Sequence, residues 1–403
     1  TGTIATEMGL LTDLEVLQLH SNNLQGSVPT QVCNLMTQHK LRLLTIDCLT
    51  VRCACECTCP TGGKPIAGDL LEALPESTRN EIENEELNAP GPTIQNIAYG
   101  WMEEDPSFDE YSVEIKKERF VLVTLYFATN LPPTYDTWNQ NDHWLMYDNG
   151  GECTWLSTQA TLFRPPDATD NLSTCISGAE TDGYADERYY QVLKLPQNNL
   201  VGTLPPELGL LTNLKKMQIH SNPELEGTIP TEFGMLTNLE VLDLENTKLN
   251  GTIPIELTVI PLRKLYLGSN QLVGTLPTFL GLFSSLETLQ LNQNQYQGTI
   301  PTEIGLLHDT LQRLYLSANQ LSGRLPLPQF TQLENLVELY LDENKFYGNI
   351  KQQLPWTATN LEHLVISNNA FSGTIPSEIG TLSNAQVVLL DTNILNGSIP
   401  SEM

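Results

Sequence analysis

An asparagine recurs every 23 to 25 residues through the second half of the chain, in the frame Leu-x-x-Leu-x-Leu-x-x-Asn-x-Leu-x-Gly. It stands at Asn198, Asn222, Asn270, Asn294, Asn319, Asn344, Asn369 and Asn393, and one further copy of the frame near the start places Asn22 in the same role. Thr247 holds the position where one more asparagine is due. Ahead of these residues the leucines alternate, as in Leu242 and Leu244 or Leu314 and Leu316, the period-two pattern of a short strand with one buried side. Behind them come GTLPPELGLLTNL from Gly202, GTIPTEFGMLTNL from Gly227, GTLPTFLGLFSSL from Gly274 and GTIPSEIGTLSN from Gly373. In these segments Gly admits a backbone sign that other residues resist, and Pro fixes an outer turn.

One such unit cannot bury its own apolar edge, so units must stack until the core is continuous. The period and leucine spacing predict an α/β leucine-rich repeat solenoid. Stacked asparagine side chains would then bond the backbone of neighbouring turns, pairing polar groups that tight winding would otherwise bury alone.

The formal net charge of -28 is concentrated between residues 60 and 190. No nucleic-acid partner is expected, because phosphate binding needs a basic face and none of the three regions 1–59, 60–190 and 191–403 is net basic. No apolar run reaches the roughly 20 residues needed to cross a bilayer. The longest, Phe120 to Phe127, is interrupted by Thr124 and reads as a buried helix, so membrane association would have to come from segments outside this sequence.

Six of the eight cysteines, Cys33, Cys48, Cys53, Cys55, Cys57 and Cys59, crowd the end of the first repeat-like stretch. Their even number and position point to a disulfide-stapled cap over the open end of a core. A thiolate metal cluster is the alternative for such a run, although histidine partners are lacking. Six cysteines allow fifteen pairings, and the spacing does not choose among them.

The Leu-x-Gly-x-Ile-Pro-x-x-Leu-Gly-x-Leu-x-x-Leu form of these repeats resembles the plant-type leucine-rich repeat family, as in receptor-like kinase ectodomains and polygalacturonase-inhibitor-like proteins. The resemblance covers about two thirds of the chain, and GLLTNL with the cysteine-dense segment is similar in style to repeat proteins of diatoms. It implies a curved right-handed shell with a concave parallel β-sheet, a short second sheet from the Gly-x-Ile-Pro segment, helical and disulfide-stapled caps, and ligand binding without catalysis. The segment TWNQNDHWLMYDNGGECTW resembles the family's amino-terminal cap. Cys153 and Cys175 bracket a loop there whose closure would stabilise by roughly 3 kcal/mol. The expected organisation is the end of a preceding solenoid over 1–48, a cysteine-rich C-terminal cap over 49–59, an acidic linker over 60–92, a helical N-terminal cap with a disulfide over 93–189, and a solenoid over 190–403 that is cut at its C-terminus. Since GSIPSEM at the end falls in the register of GTIATEM at the start, a tandem array continuing beyond both ends is expected.

Within each strand the residue between the paired leucines faces the concave side. That column reads Lys194, Gln218, Asp243, Tyr266, Gln290, Tyr315, Tyr340, Val365 and Leu389, and beside it run Lys216, Val241, Lys264, Thr288, Arg313, Glu338, His363 and Val387. Tyrosine is a frequent hot-spot residue, so Lys264, Tyr266, Gln290, Arg313, Tyr315, Glu338, Tyr340 and Asp342 form the expected ligand footprint. Solvated sheet residues chosen for β propensity are the plainer reading of the same columns. Catalysis finds no support, since no catalytic or phosphate-binding motif occurs and the six histidines lack ligand spacing. Acidic pairs such as Asp243 with Glu245 or Asp342 with Glu343 are weak candidates for a carboxylate dyad or a calcium site in so acidic a chain. No cofactor or resident metal is expected. Sequons occur at Asn171, Asn250 and Asn396. The combined expectation is a non-catalytic extracellular or cell-surface module that binds a protein, peptide or glycan on its concave face. The competing one is a structural spacer of the cell wall or matrix without a specific ligand.

Overall fold

A computed structural model describes residues 4–6, 8, 11, 16–19, 26–38, 43–45, 51–52, 70, 73–75, 78–79, 82, 93–103, 113–129, 175–177 and 188–403. The chain forms two compact units that part near residue 127. In the second, every turn repeats one path. A three-residue strand is followed by a left-handed residue, the asparagine, a second strand, a proline and, in most turns, a 3-10 helix. The left-handed residue directly precedes the ladder position throughout, from Gln197 (φ 53°) to Thr392 (φ 51°).

The first strands form a nine-stranded parallel sheet from Val192–Lys194 to Val387–Leu389. They pair without a shift, so Tyr266 lies beside Gln290, Gln290 beside Tyr315 and Tyr315 beside Tyr340. The sheet holds repeats about 4.8 Å apart, or about 38 Å over nine strands. Leucines such as Leu265, Leu289, Leu314 and Leu339 are fully buried beneath it. The 3-10 helices on the far side need more room per repeat, which bends the stack and leaves this sheet concave.

The second sheet is built, as expected, from short strands that run into the Gly-x-Ile-Pro segment. It has nine strands, from Val201–Thr203 to Ile394–Asn396, and most of them end at or before the residue ahead of the Ile-Pro or Leu-Pro pair. Proline explains the limit. It has no N–H for a ladder, and its extended backbone, as at Pro230 (φ -63°, ψ 139°), instead leads into the 3-10 helix Thr231–Met235. Successive strands also slide by two residues, since Thr275 pairs with Gln297 and Gln297 itself pairs with Gln320. The slide sets Gly227, Gly251, Gly298, Gly323 and Gly397 against a Thr of the preceding turn. At Gly227 (φ +85°) a Cβ would lie 2.9 Å from Thr203 Cγ2, so both conformation and contact require glycine.

The asparagine ladder closes the gap between the two sheets. Asn294 Oδ1 accepts from Leu272 N–H of the preceding turn (2.9 Å), while its Nδ2 donates to Leu267 O of that turn (2.9 Å) and Leu291 O of its own (3.1 Å). Asn270, Asn319, Asn344, Asn369 and Asn393 repeat the pattern, and Asn222 adds a second acceptance, from Asn198 N–H. Asn22 lies outside the described residues.

The break in the ladder is compensated one turn earlier. Asn222 is followed by Pro223 and Glu224 before the core leucine, one residue more than elsewhere. The extra residue turns Leu225 N–H back onto Asn222 O (3.0 Å), so the donor that an asparagine at 247 would receive is already paired. The Thr247 hydroxyl instead meets Leu244 O of its own turn and Asn270 Oδ1 of the next.

In the first unit the same winding recurs. Val16–Gln18 pairs in parallel with Leu43–Thr45, and Gly26–Ser27 with Val51–Arg52, so the second-sheet pairing reaches past residue 48. Helix α1 (Thr30–Gln38) lies between them in sequence, with Val32, Cys33 and Leu35 buried. Cys33 is disulfide-bonded, whereas Cys48, Cys53, Cys55, Cys57, Cys59 and Cys153 and the Cys175 side chain lie outside the described residues. Helices α2 (Ile94–Glu103) and α3 (Val113–Thr129) match the expected helical stretches. The run Phe120–Leu125 is fully buried, and the Thr124 hydroxyl that interrupts it donates to Phe120 O (2.7 Å). No helix among the described residues is long and apolar enough to cross a membrane.

Removing one rung should expose this asymmetry. Asn294→Ala strands a buried N–H and a buried C=O and is expected to lower unfolding free energy by about 2–4 kcal/mol, against about 1 kcal/mol for Thr247→Ala. Urea denaturation of both variants checks the difference.

Candidate functional site

Register places most of the expected footprint in one neighbourhood of the concave sheet. On adjacent strands, Arg313–Tyr315 and Glu338–Tyr340 pair residue for residue, and the latter pairs with His363–Val365. Glu338 is the hub. Its Oε1 accepts from Arg313 Nε (3.0 Å) and its Oε2 from the Tyr315 hydroxyl (2.6 Å), with His363 Nδ1 at 3.6 Å. The Tyr340 hydroxyl meets His363 Nδ1 at 2.8 Å. The Tyr315 and Tyr340 rings lie 5.1 Å apart at 32°, and Tyr340 meets the His363 ring edge-on at 6.0 Å. These contacts fix both tyrosines before any ligand arrives.

Beside the rings a shallow depression of about 400 Å³ is lined by Gln290, Asn292, Tyr315, Ser317, Tyr340 and Asp342. Four of these belong to the expected footprint. Asn292 and Ser317 do not, although they occupy the same column as Asp342, just beyond the second core residue of each strand. Lys264 and Tyr266 stand on the far side of the strand Thr288–Gln290 and are not bonded into the cluster. His363, the second node of the network, was visible in its column but had no feature of its own to mark it.

The edge on which each strand begins carries Lys216, Lys264 and Arg313 together with the acidic Glu338, whereas the edge beyond the second core residue carries Glu245, Asp342 and Asp391 and no Lys or Arg. Burial of the Glu338 carboxyl raises its pKa, but hydrogen bonds from Tyr315 and Arg313 and the charges of Arg313 and His363 outweigh it and hold the group below its ordinary value. Burial pushes the Tyr315 hydroxyl up, as do its bond to Glu338 and the charge there. Tyr340 and Tyr266 are raised as well, first by burial and then by carboxylates nearby. All three phenols are therefore neutral near pH 7. Burial also raises Asp243, against the opposing effect of His220.

No group of three or more His, Cys, Asp or Glu among the described residues is placed to hold a metal. Asp342 accepts from the Ser317 hydroxyl, and Glu343 is an exposed left-handed turn residue. The sequons Asn250 and Asn396 are exposed on equivalent positions of the second sheet, beside Thr228 and Thr374. Asn171 lies outside the described residues.

The family model described as Leucine Rich Repeat matches residues 13–35, 238–259 and 360–382. No curated protein matches the chain. Among solved structures, the plant peptide hormone receptor RGFR1 in complex with RGF2 is similar over 100% of this chain and 47% of its own, at 24% identity and a TM-score of 0.50. A plant ice-binding protein is similar over 53% of this chain and 76% of its own, at 28% identity and a TM-score of 0.46. The Arabidopsis receptor kinase HAESA, in complex with the peptide hormone IDA and the co-receptor SERK1, is similar over 52% of this chain and 35% of its own, at 32% identity and a TM-score of 0.46. The chain thus spans less than half the length of either receptor, and the likeness to the first is one of fold.

The depressed pKa of Glu338 gives a signed prediction. Stability from a lowered carboxylate is present above the unfolded value, near 4.5, and is lost as pH falls through the folded value. The gap in urea midpoint between wild type and Glu338→Gln should be constant above about pH 5 and shrink on acidification below it, as a pH series of denaturation curves would read.

Proposed function

The chain is a leucine-rich repeat protein whose repeats follow the plant-type pattern, and we propose that its concave sheet is a non-catalytic recognition surface for a peptide or protein segment. The observation that carries this reading is the ordering of Tyr315 and Tyr340 over Glu338, with His363 on one side and an open depression on the other. Rigid aromatic side chains whose hydroxyls are already bonded lose little freedom on binding, and such residues dominate interface energetics. An extended segment laid along the sheet would cross Tyr266, Gln290, Tyr315 and Tyr340 in turn, with Lys264 and Arg313 along one flank and Asp342 along the other. A plant peptide hormone receptor uses this same fold.

The extracellular or cell-surface setting belongs to this proposal. The disulfide at Cys33 supports it, because such bonds persist in oxidising compartments, and so does the exposure of Asn250 and Asn396 on the second sheet, away from the concave columns. Expression through a secretory host followed by peptide mapping is expected to find glycans on Asn250 and Asn396 and a bridge between Cys153 and Cys175. Bare sequons with reduced thiols would refute the setting.

Selection from a random peptide library against the immobilised chain tests recognition itself. Binders are expected whose affinity falls at least tenfold when Tyr315 and Tyr340 are both replaced by alanine, a loss of about 1.4 kcal/mol or more. A library that yields no binder, or binders indifferent to the pair, would favour a structural spacer.

A further inference from the structure

We infer, resting on that reading, that the depression beside Tyr315 and Tyr340 is a subsite for a cationic side chain, so that the segment bound on the concave sheet presents an arginine or lysine there. The lining consists of two phenol rings, two carboxamides, one hydroxyl and one carboxylate, with no Lys or Arg among them. A cation over a tyrosine face within about 6 Å is attracted by the ring quadrupole, more strongly where water is partly excluded. Asp342 supplies the countercharge. One of its oxygens accepts from the Ser317 hydroxyl, which aims the carboxylate, and it has no cationic partner among the described residues. The nearest guanidinium, Arg313, is committed to Glu338 on the opposite flank of the tyrosine column.

The depression has an identifiable cause. Gly268 stands in the column of Asn292 and Ser317, and a Cβ on it would come within 2.7 Å of Asn292 Oδ1 and 3.0 Å of Gln290 Nε2. Its bare backbone lets both carboxamides lean away from Tyr315. The Gln290 amide then donates to Glu245 Oε1 across the whole intervening strand. Glycine here is a spacing device, since its backbone lies outside the left-handed region and alanine could adopt it. A methyl group would push Asn292 and Gln290 back into the depression. Gly268 is therefore a specificity-determining position that touches no ligand.

The test uses the peptides selected above, each also synthesised with citrulline, a neutral isostere, in place of arginine or with glutamine in place of lysine. Affinities would be measured by fluorescence polarisation on wild type, Asp342→Asn and Gly268→Ala, with urea midpoints as a folding control. The selected peptides should share a basic residue. Its neutral replacement should weaken wild-type binding at least tenfold and binding to Asp342→Asn by a factor at least threefold smaller, the remainder being the attraction of the tyrosine rings, and Gly268→Ala should weaken the basic peptide severalfold. Asp342→Asn preserves the shape and the Ser317 bond, so it carries the test even if Gly268→Ala does not fold. Peptides that depend on Tyr315 and Tyr340 yet lack a basic residue, or tolerate citrulline, would overturn the subsite and leave recognition standing. The absence of any binder sensitive to the tyrosine pair would overturn both.

Discussion

With one exception, successive turns of the solenoid are joined by the carboxamide of an asparagine, which takes an N–H and returns a donor to a C=O of the turn before it, as Asn294 does with Leu272 and Leu267. These backbone groups sit at the bend between the two sheets, out of reach of either ladder and of water. Pairing them from the side is what permits a 23- to 25-residue turn to be wound so tightly. The left-handed residue ahead of each asparagine is part of the same device, because it swings the chain sharply enough to point the carboxamide inward. The one missing rung, at Thr247, is tolerated because the extra residue after Asn222 has already turned the relevant N–H onto another acceptor.

A stack fixed in this way turns sequence columns into spatial neighbours. Residues 23 to 25 apart stand side by side on the concave sheet, so a carboxylate at Glu338 can collect Arg313 and Tyr315 from one flanking strand and His363 from the other. The backbone supplies the scaffold and the exposed columns vary freely over it. This separation is why a repeat fold can carry a local, unrepeated cluster without disturbing its core.

The solenoid and its register were readable from the sequence because the period is itself the register. Tyr266, Gln290, Tyr315 and Tyr340 line up as the columns require. The second sheet was legible only through its Gly-x-Ile-Pro segment, because its strands carry few alternating apolar residues and are delimited by the loss of an N–H at proline, not by a hydrophobic pattern. Within the site, the Arg313 and Glu338 partnership follows from adjacency in a column, but the bond from Gln290 to Glu245 skips a strand and depends on the missing side chain of Gly268. Asn292 and Ser317 escaped notice for a related reason. Small polar residues in a turn column have no signature until an aromatic wall stands next to them.

The account therefore rests on the claim that ligands meet the concave tyrosines. Nitration by tetranitromethane with and without a bound library peptide, read residue by residue in mass spectra, tests it most directly. Tyr347 is 50% exposed on the second sheet and serves as the internal control. Protection of Tyr315 and Tyr340 with unchanged modification of Tyr347 is the predicted result, whereas equal modification of the concave pair, or protection of Tyr347 instead, would contradict it.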